Sequence, residues 1–470
     1  MPAVPATSVE LTDSLDLSAL AGWLAAQRWY ATKSQTIAAI EVQDAVTLAA
    51  DPALVLALVR ARLADGRDER YQLVLSFADG DTAESDGATV VQRTATATVR
   101  DALADPDRAR ALLTAIDAET ALDGDGGRFS FSRGEYTGPL DTGGSARPMG
   151  VEQSNSSIVF SDTVLKVFRR LEPGVNPELE VLRFLTRRDF PNIAPLRGWC
   201  DYRGAGGAGS RATLAVAQRF VATAQGGWEM ALERIGSDPE GLLTELAELG
   251  RATAELHNAL AADPDDPDFA PAEPDAGALA AAIAEIDADV QRVFARLPED
   301  ERLVAIAGRG EELRGLLATA SRAAPGGRAI RTHGDYHLGQ TLHTPGGIGW
   351  VIIDFEGEPA RPLAERRAKR SPLRDVASML RSFAYAAAAT EMAGGVTPTD
   401  FEARAREAYL DAYLGVVHPI LLPDGDAAVT ALLSLFELEK VVYELRYELD
   451  NRPDWLPIPA AGIRRLLEPA

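Results

Sequence analysis

"RTHGDYHLGQTLHT", residues 331–344, gathers histidines, an aspartate, a glutamine and two glycines into one short polar stretch. A few residues on, in "GWVIIDFEGEPARP" at 349–362, an apolar run ends abruptly in alternating carboxylates. Asp335 falls in a tight loop, Gln340 is the fifth residue after it, and Asp354 closes the strand-like "WVIID". A loop carboxylate can orient a hydroxyl and take its proton. An amide oxygen and a second carboxylate are oxygen donors suited to Mg²⁺. Together they are what phosphoryl transfer asks of a protein, which is mostly positioning and charge neutralisation. "HGD" alone would read equally well as a capped turn; Gln340 and the strand-ended Asp354 tip the balance. His333 and His337 lie at i, i+4 without a third nitrogen or sulfur ligand nearby, so they read as residues that hold the loop rather than a zinc site. Glu356, two past Asp354, reads either as a solvated charge or as support for the metal ligands.

Working outward, the order Asp335, Gln340, Asp354 follows the H-x-D-x-x-x-x-N…D grammar of protein-kinase-like folds, with glutamine in place of asparagine. A second constellation precedes it: "QSNSSIVF", then "LKVFRR", then "NPELEVL". Small polar residues between strands, Ser154, Asn155 and Ser156, can cover phosphates with backbone N–H groups and hydroxyls. Lys166 in a strand can pair with the α- and β-phosphates of ATP, and Glu180 on the next helix can hold that lysine. A strand lysine is by itself usually a snorkelling surface residue. The sequence of polar loop, strand lysine, helix glutamate and hinge strand "AVAQRF", with Gln218 at the hinge, is what points to a nucleotide. No G-x-G-x-x-G or Walker sequence stands at this polar loop. "SPLRDVASMLRSF" carries an apolar helical stripe that reads as core, with Asp375 either capping the helix or holding the Asp335 loop. "ELEKVVYELRYELDNRPDWLPIP" sets Tyr443 and Tyr447 on one helix face, with Glu444, Asn451 and Trp455 nearby, an acceptor site for a sugar or else an aromatic core stripe. Trp228 and Glu229 in "QGGWEMALE" read as a helix start.

Composition narrows the field. The 470 residues suggest two or three domains, and 46% hydrophobic with 25% charged content is ordinary for a globular chain. A formal charge of −23 disfavours nucleic acid and anionic membrane as partners. The single cysteine, Cys200, excludes an intrachain disulfide and reads as a buried apolar residue. No secretory leader and no long apolar span is evident, so the expectation is a cytoplasmic protein.

Residues 1–145 pair a helix, "LSALAGWLAAQRWYATK", with alternating strands and the helix "ARALLTAIDAET", which predicts a strand-rich cap and intermediate subdomain. The Gly-rich 123–150 reads as loops or a boundary. Residues 146–221 predict a small sheet with a turn at Ser161-Asp162, a helix from Pro177 and a hairpin tip at "RGAGGAGSRA". Residues 222–470 predict a mostly helical lobe with an exposed acidic loop at 261–277 and a tail, "RPDWLPIP", that is not helical throughout.

The stretches "QSNSSIVF", "LKVFRR", "PGVNPELEVLRFL", "RTHGDYHLGQTL", "IIDFEGEPARPLAERRAKRSPLRDVASMLRSFAYA" and "ELRYELDNRPDWLPIP" together resemble the actinobacterial maltokinases, including the kinase modules fused to trehalose synthase. "LAAQRWYATK" resembles the start of that family, so the likeness runs nearly end to end. It implies an α+β, bilobal, eukaryotic-protein-kinase-like fold with an N-terminal cap subdomain. It further implies transfer of the γ-phosphate of ATP to the anomeric hydroxyl of maltose, giving maltose 1-phosphate for α-glucan synthesis, with trehalose synthase as a partner to test. On the matching positions, Asp335 is the catalytic aspartate, Gln340 and Asp354 hold Mg²⁺, and Lys166 with Glu180 forms the nucleotide ion pair. His333, Glu444, Tyr447, Asn451 and Trp455 are the expected sugar contacts. Kinases with the same skeleton act on glucosamine or aminoglycosides, and the carboxylates of the tail suit a cationic acceptor too. A catalytically inactive binding module is the remaining alternative.

Overall fold

A computed structural model describes residues 5–79, 89–94, 97–135, 137–150, 154–206, 211–297, 300–320 and 326–468. The chain forms two compact units, Met1–Arg187 with Ala194–Ala222, and Arg188–Ile193 with Thr223–Ala470.

In the first unit, helices α1 (Ser8–Ser14) and α2 (Leu17–Ala26) precede three long strands, β1 (Ile37–Ala50), β2 (Ala53–Leu63) and β3 (Asp68–Asp79). With β4 (Val90–Arg93) and β5 (Ala97–Asp101) they make an antiparallel sheet ordered β1-β2-β3-β5-β4. Period two explains its core. Val55, Ala57, Val59 and Ala61 alternate along β2 into one cluster with Trp23, Trp29, Tyr30 and Tyr71. The helix expected through "LAAQRWYATK" stops at Ala26. Trp29 and Tyr30 turn into the sheet's core instead, where Trp29 meets Trp23 edge-on at 5.8 Å and Tyr30 meets Tyr71 at 5.8 Å.

After α3 (Pro106–Asp117), the strands β6 (Ala121–Asp123), β7 (Gly127–Arg133), β8 (Ala146–Pro148), β9 (Asn155–Phe160) and β10 (Thr163–Phe168) follow. The short β11 (Arg170–Leu171) pairs with β3, and α4 (Pro177–Thr186), β12 (Leu196–Gly204) and β13 (Arg211–Arg219) complete the unit. Seven of these strands form a second sheet, ordered β6-β7-β12-β13-β10-β9-β8. The Gly-rich 123–150 is therefore not all loop. Phe129 and Phe131 alternate inward from β7, and a Cβ at Gly127 would stand 2.5 Å from the Arg203 carbonyl, so glycine permits the strand's close approach to β12. The turn at Ser161-Asp162 joins β9 to β10 as expected, Ser161 taking φ +47. Asn176 caps α4 through the Glu178 N–H, with Pro177 in its first turn. Part of the expected hairpin tip, 207–210, lies outside the described residues.

The second unit is mostly helical. A small sheet of β14 (Gln225–Gly226), β15 (Thr341–Thr344) and β16 (Gly349–Ile352) sits among α5 (Gly227–Arg234), α6 (Pro239–Leu260), α7 (Ala276–Phe294) and α8 (Gly310–Ala320). Downstream come α9 (Leu363–Arg366), α10 (Leu373–Met392), α11 (Phe401–Leu414), α12 (Asp426–Asn451) and α13 (Pro457–Leu467). The acidic 261–277 segment is anchored rather than loose. Phe269 is buried and Lys369 donates to the carbonyls of Pro267 and Ala270, both at 2.7 Å. "RPDWLPIP" breaks helicity as expected, Pro453 starting the turn Pro453–Trp455 and Pro457 starting α13. No helix among the described residues is long and apolar enough to cross a membrane.

Candidate active site

The loop between Arg331 and Gln340 is held from below. Asp375, buried in the first turn of α10, accepts the backbone N–H groups of His333 at 2.8 Å and Gly334 at 3.0 Å. His257 of α6 binds the same carboxylate at 3.2 Å, and its other ring nitrogen meets the Tyr413 hydroxyl at 3.0 Å. Burial pushes the Asp375 carboxyl up, but His257 and the loop N–H outweigh it and leave the group below the usual carboxylate range. Ser382 accepts from the Leu338 N–H at 3.0 Å, and Tyr336 meets Thr253 at 2.9 Å. Asp375 thus holds the loop, one of the two roles the sequence left open.

On that base Asp335 projects half-buried, 3.7 Å from the ammonium of Lys440 on α12. Gln340 closes a short 3₁₀ turn and donates its amide to Asp354 at 2.9 Å, so the two expected metal ligands meet. That leaves the amide oxygen of Gln340 as a donor to a cation. Asp354 takes φ +66, in the left-handed region that aspartate enters more readily than most residues other than glycine. Glu356 brings a carboxylate oxygen within 4.8 Å of one on Asp354. Two carboxylates and an amide are hard oxygen donors, a set that fits Mg²⁺ better than a softer metal.

His333 departs from its expected place among the sugar contacts. It is 1% exposed, with one ring nitrogen on the Ile353 carbonyl at 2.9 Å and the other facing the Asp335 N–H at 3.4 Å. Both ring nitrogens are engaged in holding the loop, as the sequence reading of its spacing also allowed.

In the first unit, Lys166 lies on β10 between β9 and β13, 7% exposed, and its ammonium reaches Glu178 at 2.8 Å. The expected ion pair forms with a different residue: Glu178 rather than Glu180. Two positions on a helix are about 200° apart around its axis, so only one of the two carboxylates can face the β10 lysine. Glu178 is fully buried; Glu180 is half-buried. Ser154 is exposed, Asn155 begins β9, and the Ser156 hydroxyl accepts from Arg169 at 2.8 Å. Gln153, the first residue of the expected polar loop, lies outside the described residues. The Gln218 side-chain oxygen is buried and finds no hydrogen-bond partner among the described residues. An adenine amine is the kind of donor such an acceptor lacks.

Beside Asp335, a cavity of about 380 Å³ opens within the helical unit. Trp228, Tyr385, Tyr443 and Tyr447 offer it aromatic faces, and Lys440 points toward Asp335 at its edge. Glu444 and Tyr447 line it, as expected. Each carboxylate there is already answered. Arg381 donates twice to Glu444, at 2.8 and 3.0 Å, and Arg452 grips Glu448 at 2.7 and 2.9 Å. Burial raises the Glu444 carboxyl against the pull of Arg381. Burial lowers the Lys440 ammonium, and the charges of Asp335, Glu358 and Glu444 together more than restore it, leaving it above its ordinary value. Asn451 and Trp455 do not line the cavity. Exposed Asn451 donates back to the Tyr447 carbonyl at 2.9 Å, and Trp455 stacks on Tyr385 at 6.0 Å with Arg452 over its ring. Chain direction explains this, because the helix ends at Asn451 and the turn carries Trp455 away.

Sequence reading missed Lys440, Tyr385 and Arg381, and took Trp228 for a helix start, which it also is. A signal for Lys440 was present: 440, 443, 444 and 447 share one helix face. Tyr385 and Arg381 were hidden in a stripe that reads as core.

The phosphotransferase enzyme family model matches residues 145–421, and the chain belongs to that family. The maltokinase N-terminal cap domain matches residues 23–105, so the protein is a kinase of this class carrying the maltokinase cap. It is 28% identical over 441 residues to a glucosamine kinase of Streptacidiphilus jiangxiensis, covering 89% of this chain and 96% of that one. A glucosamine kinase of Mycolicibacterium smegmatis is 27% identical over 337 residues, covering 68% of this chain and 79% of that one. A solved glucosamine kinase in complex with glucosamine, ADP and inorganic phosphate superposes with a TM-score of 0.72 at 21% identity, covering 99% of this chain and 100% of that one. The fold is the kinase-like α+β architecture with an N-terminal cap, as the sequence implied.

Proposed function

We propose that the protein transfers the γ-phosphate of ATP to the anomeric hydroxyl of maltose, giving ADP and maltose 1-phosphate. Asp335 orients the acceptor hydroxyl and takes its proton as the new O–P bond forms and the β–γ bridging bond breaks. Lys166, held by Glu178, is assigned to the nucleotide phosphates, with Ser154 and Asn155 near them and Gln218 at the base. Gln340 and Asp354, with Glu356 beside them, would hold Mg²⁺, which neutralises triphosphate charge when bound.

The carrying observation is the charge state of the cavity beside Asp335. Its two carboxylates are each paired with an arginine, and the cation left over, Lys440, faces Asp335. A neutral polyol finds aromatic faces and hydrogen-bonding groups there, whereas an ammonium group finds no carboxylate of its own and a like charge nearby. Glucosamine is the second reading, because both curated relatives above are glucosamine kinases. Incubating the protein with ATP, Mg²⁺ and each of maltose, glucose and glucosamine, followed by ADP release and phosphorus NMR, tests both. Maltose turning over fastest, with an anomeric phosphate resonance, supports the proposal. Preferential turnover of glucosamine overturns it in favour of the second reading.

A further inference from the structure

Lys440, Tyr443 and Ser378 line a second cavity as well as the first, this one of about 410 Å³. Its walls are the segment from Gly357 to Arg374, together with parts of α7 and α12, and it reaches the catalytic loop at Gly334. In a chain of net charge −23, four arginines from fourteen consecutive residues converge on it, Arg361, Arg366, Arg370 and Arg374. Arg361 is matched by Glu358 at 2.7 Å, and Arg374 by Glu439 at 2.7 Å. Arg370 is different. Only a quarter exposed, it reaches the Glu365 carbonyl at 3.4 Å and that residue's carboxylate only at 3.9 Å. Burial first, then the crowding of Arg374 and Arg361, lowers its hold on its proton, with Glu439 and Glu365 in the same lining opposing the shift.

An oxyanion with several oxygens would relieve that crowding, because an arginine fork matches phosphate oxygens in pairs. The volume is that of a pocket for an organic ligand rather than a bare ion. The Tyr443 ring supplies an apolar face beside the arginines. We propose that this cavity binds a phosphorylated sugar, its phosphomonoester held by Arg370 between Arg361 and Arg374. Because Lys440, Tyr443 and Ser378 belong to both cavities, its occupancy lowers turnover of the acceptor. The binding stands independently of the kinase reading; only the effect on turnover rests on it.

The test uses the full chain and no turnover. Glucose 1-phosphate is titrated calorimetrically into the protein at low salt, with and without ADP and Mg²⁺, beside inorganic phosphate and glucose. Saturable binding of the ester is expected, unaffected by ADP, at least tenfold tighter than inorganic phosphate, with no heat from glucose. Arg370→Gln, its fold checked by circular dichroism and melting, is expected to weaken the ester at least tenfold. Should that variant not fold, Arg370→Lys keeps the charge, loses the fork and is expected to weaken binding at least threefold. The proposal is overturned by the absence of saturable binding, by equal affinity in the variants, or by loss of binding when ADP is present, which would place the ester on the nucleotide's site. Inorganic phosphate binding as tightly as the ester overturns the sugar half.

Discussion

At the scale of single residues, the two charged pairs that matter differ in burial and therefore in consequence. Asp335 and Lys440 meet at 3.7 Å where water still reaches them, so their attraction is screened and their roles are chemical. Asp335→Asn is expected to lower kcat by roughly a hundredfold or more, because an amide cannot take the acceptor's proton. Nucleotide affinity, read by calorimetry, should be nearly unchanged; retention of more than a tenth of wild-type kcat would remove Asp335 from its assigned role. Lys166 and Glu178 are both buried, and deleting one takes from the other an opposite charge at 2.8 Å. Glu178→Ala should cost about 3 kcal/mol of stability and raise the KM for ATP. Glu180→Ala, acting on a half-buried group, should cost under about 1 kcal/mol and change that KM little. The reverse ranking would restore Glu180 as the lysine's partner. The choice between these two was not legible in "NPELEVL", because both are glutamates in the first turn of the same helix. Helix rotation against the sheet decided it.

At the scale of elements, the turn Leu338–Gln340 links acidity to the site. His337 caps this turn, its Nδ1 accepting the Gly339 N–H at 3.1 Å, which only an unprotonated nitrogen can do. Burial lowers the His337 pKa; Asp335 and Asp354 oppose that shift, while Lys440 and His333 add to it. A histidine depressed in the folded state binds its proton more readily when unfolded. Its contribution is therefore complete above the ordinary histidine value of about 6.5 and drains away as pH falls below it. The melting temperature is expected to decline on acidification below about pH 6.5, with activity falling alongside as Gln340 loses its placement. His337→Asn keeps a capping acceptor without a titration and should flatten that part of the Tm profile; an unchanged slope would locate the sensitivity elsewhere. The Asp335 loop and the strand that precedes Asp354 were readable because their order and spacing are local, whereas Asp375, 40 residues on from Asp335, was left with two roles. The direction in which α12 delivers Asn451 and Trp455 was not, because a helix end and a proline turn set it.

At the scale of the whole molecule, the chain does not divide in simple sequence order. Arg188–Ile193 belongs with the helical unit, although residues on both sides of it belong with the other. Asn192 explains that membership: its amide donates to the Trp350 carbonyl at 2.7 Å and its own carbonyl accepts from Ile352 at 2.8 Å. Asn192→Ala should therefore destabilise β16, the strand that delivers Asp354, by about 2 kcal/mol. Thermal melting measures this, and a Tm within error of wild type would show the tie to be idle. The sequence by itself determined the strand-rich and helical regions, the polar loop that carries Asp335 and Gln340 with Asp354 after the next strand, and the lysine strand. Each of these is written in a period or a spacing only a few residues long. Only the tertiary structure decided that Glu178 holds Lys166, that His333 is buried, and that Lys440, Tyr385 and Trp228 share one cavity. It also showed the cavity's carboxylates to be paired with arginines from α10 and the end of α12. Such facts depend on which faces of distant elements meet, and burial sets them by packing the whole of each unit at once.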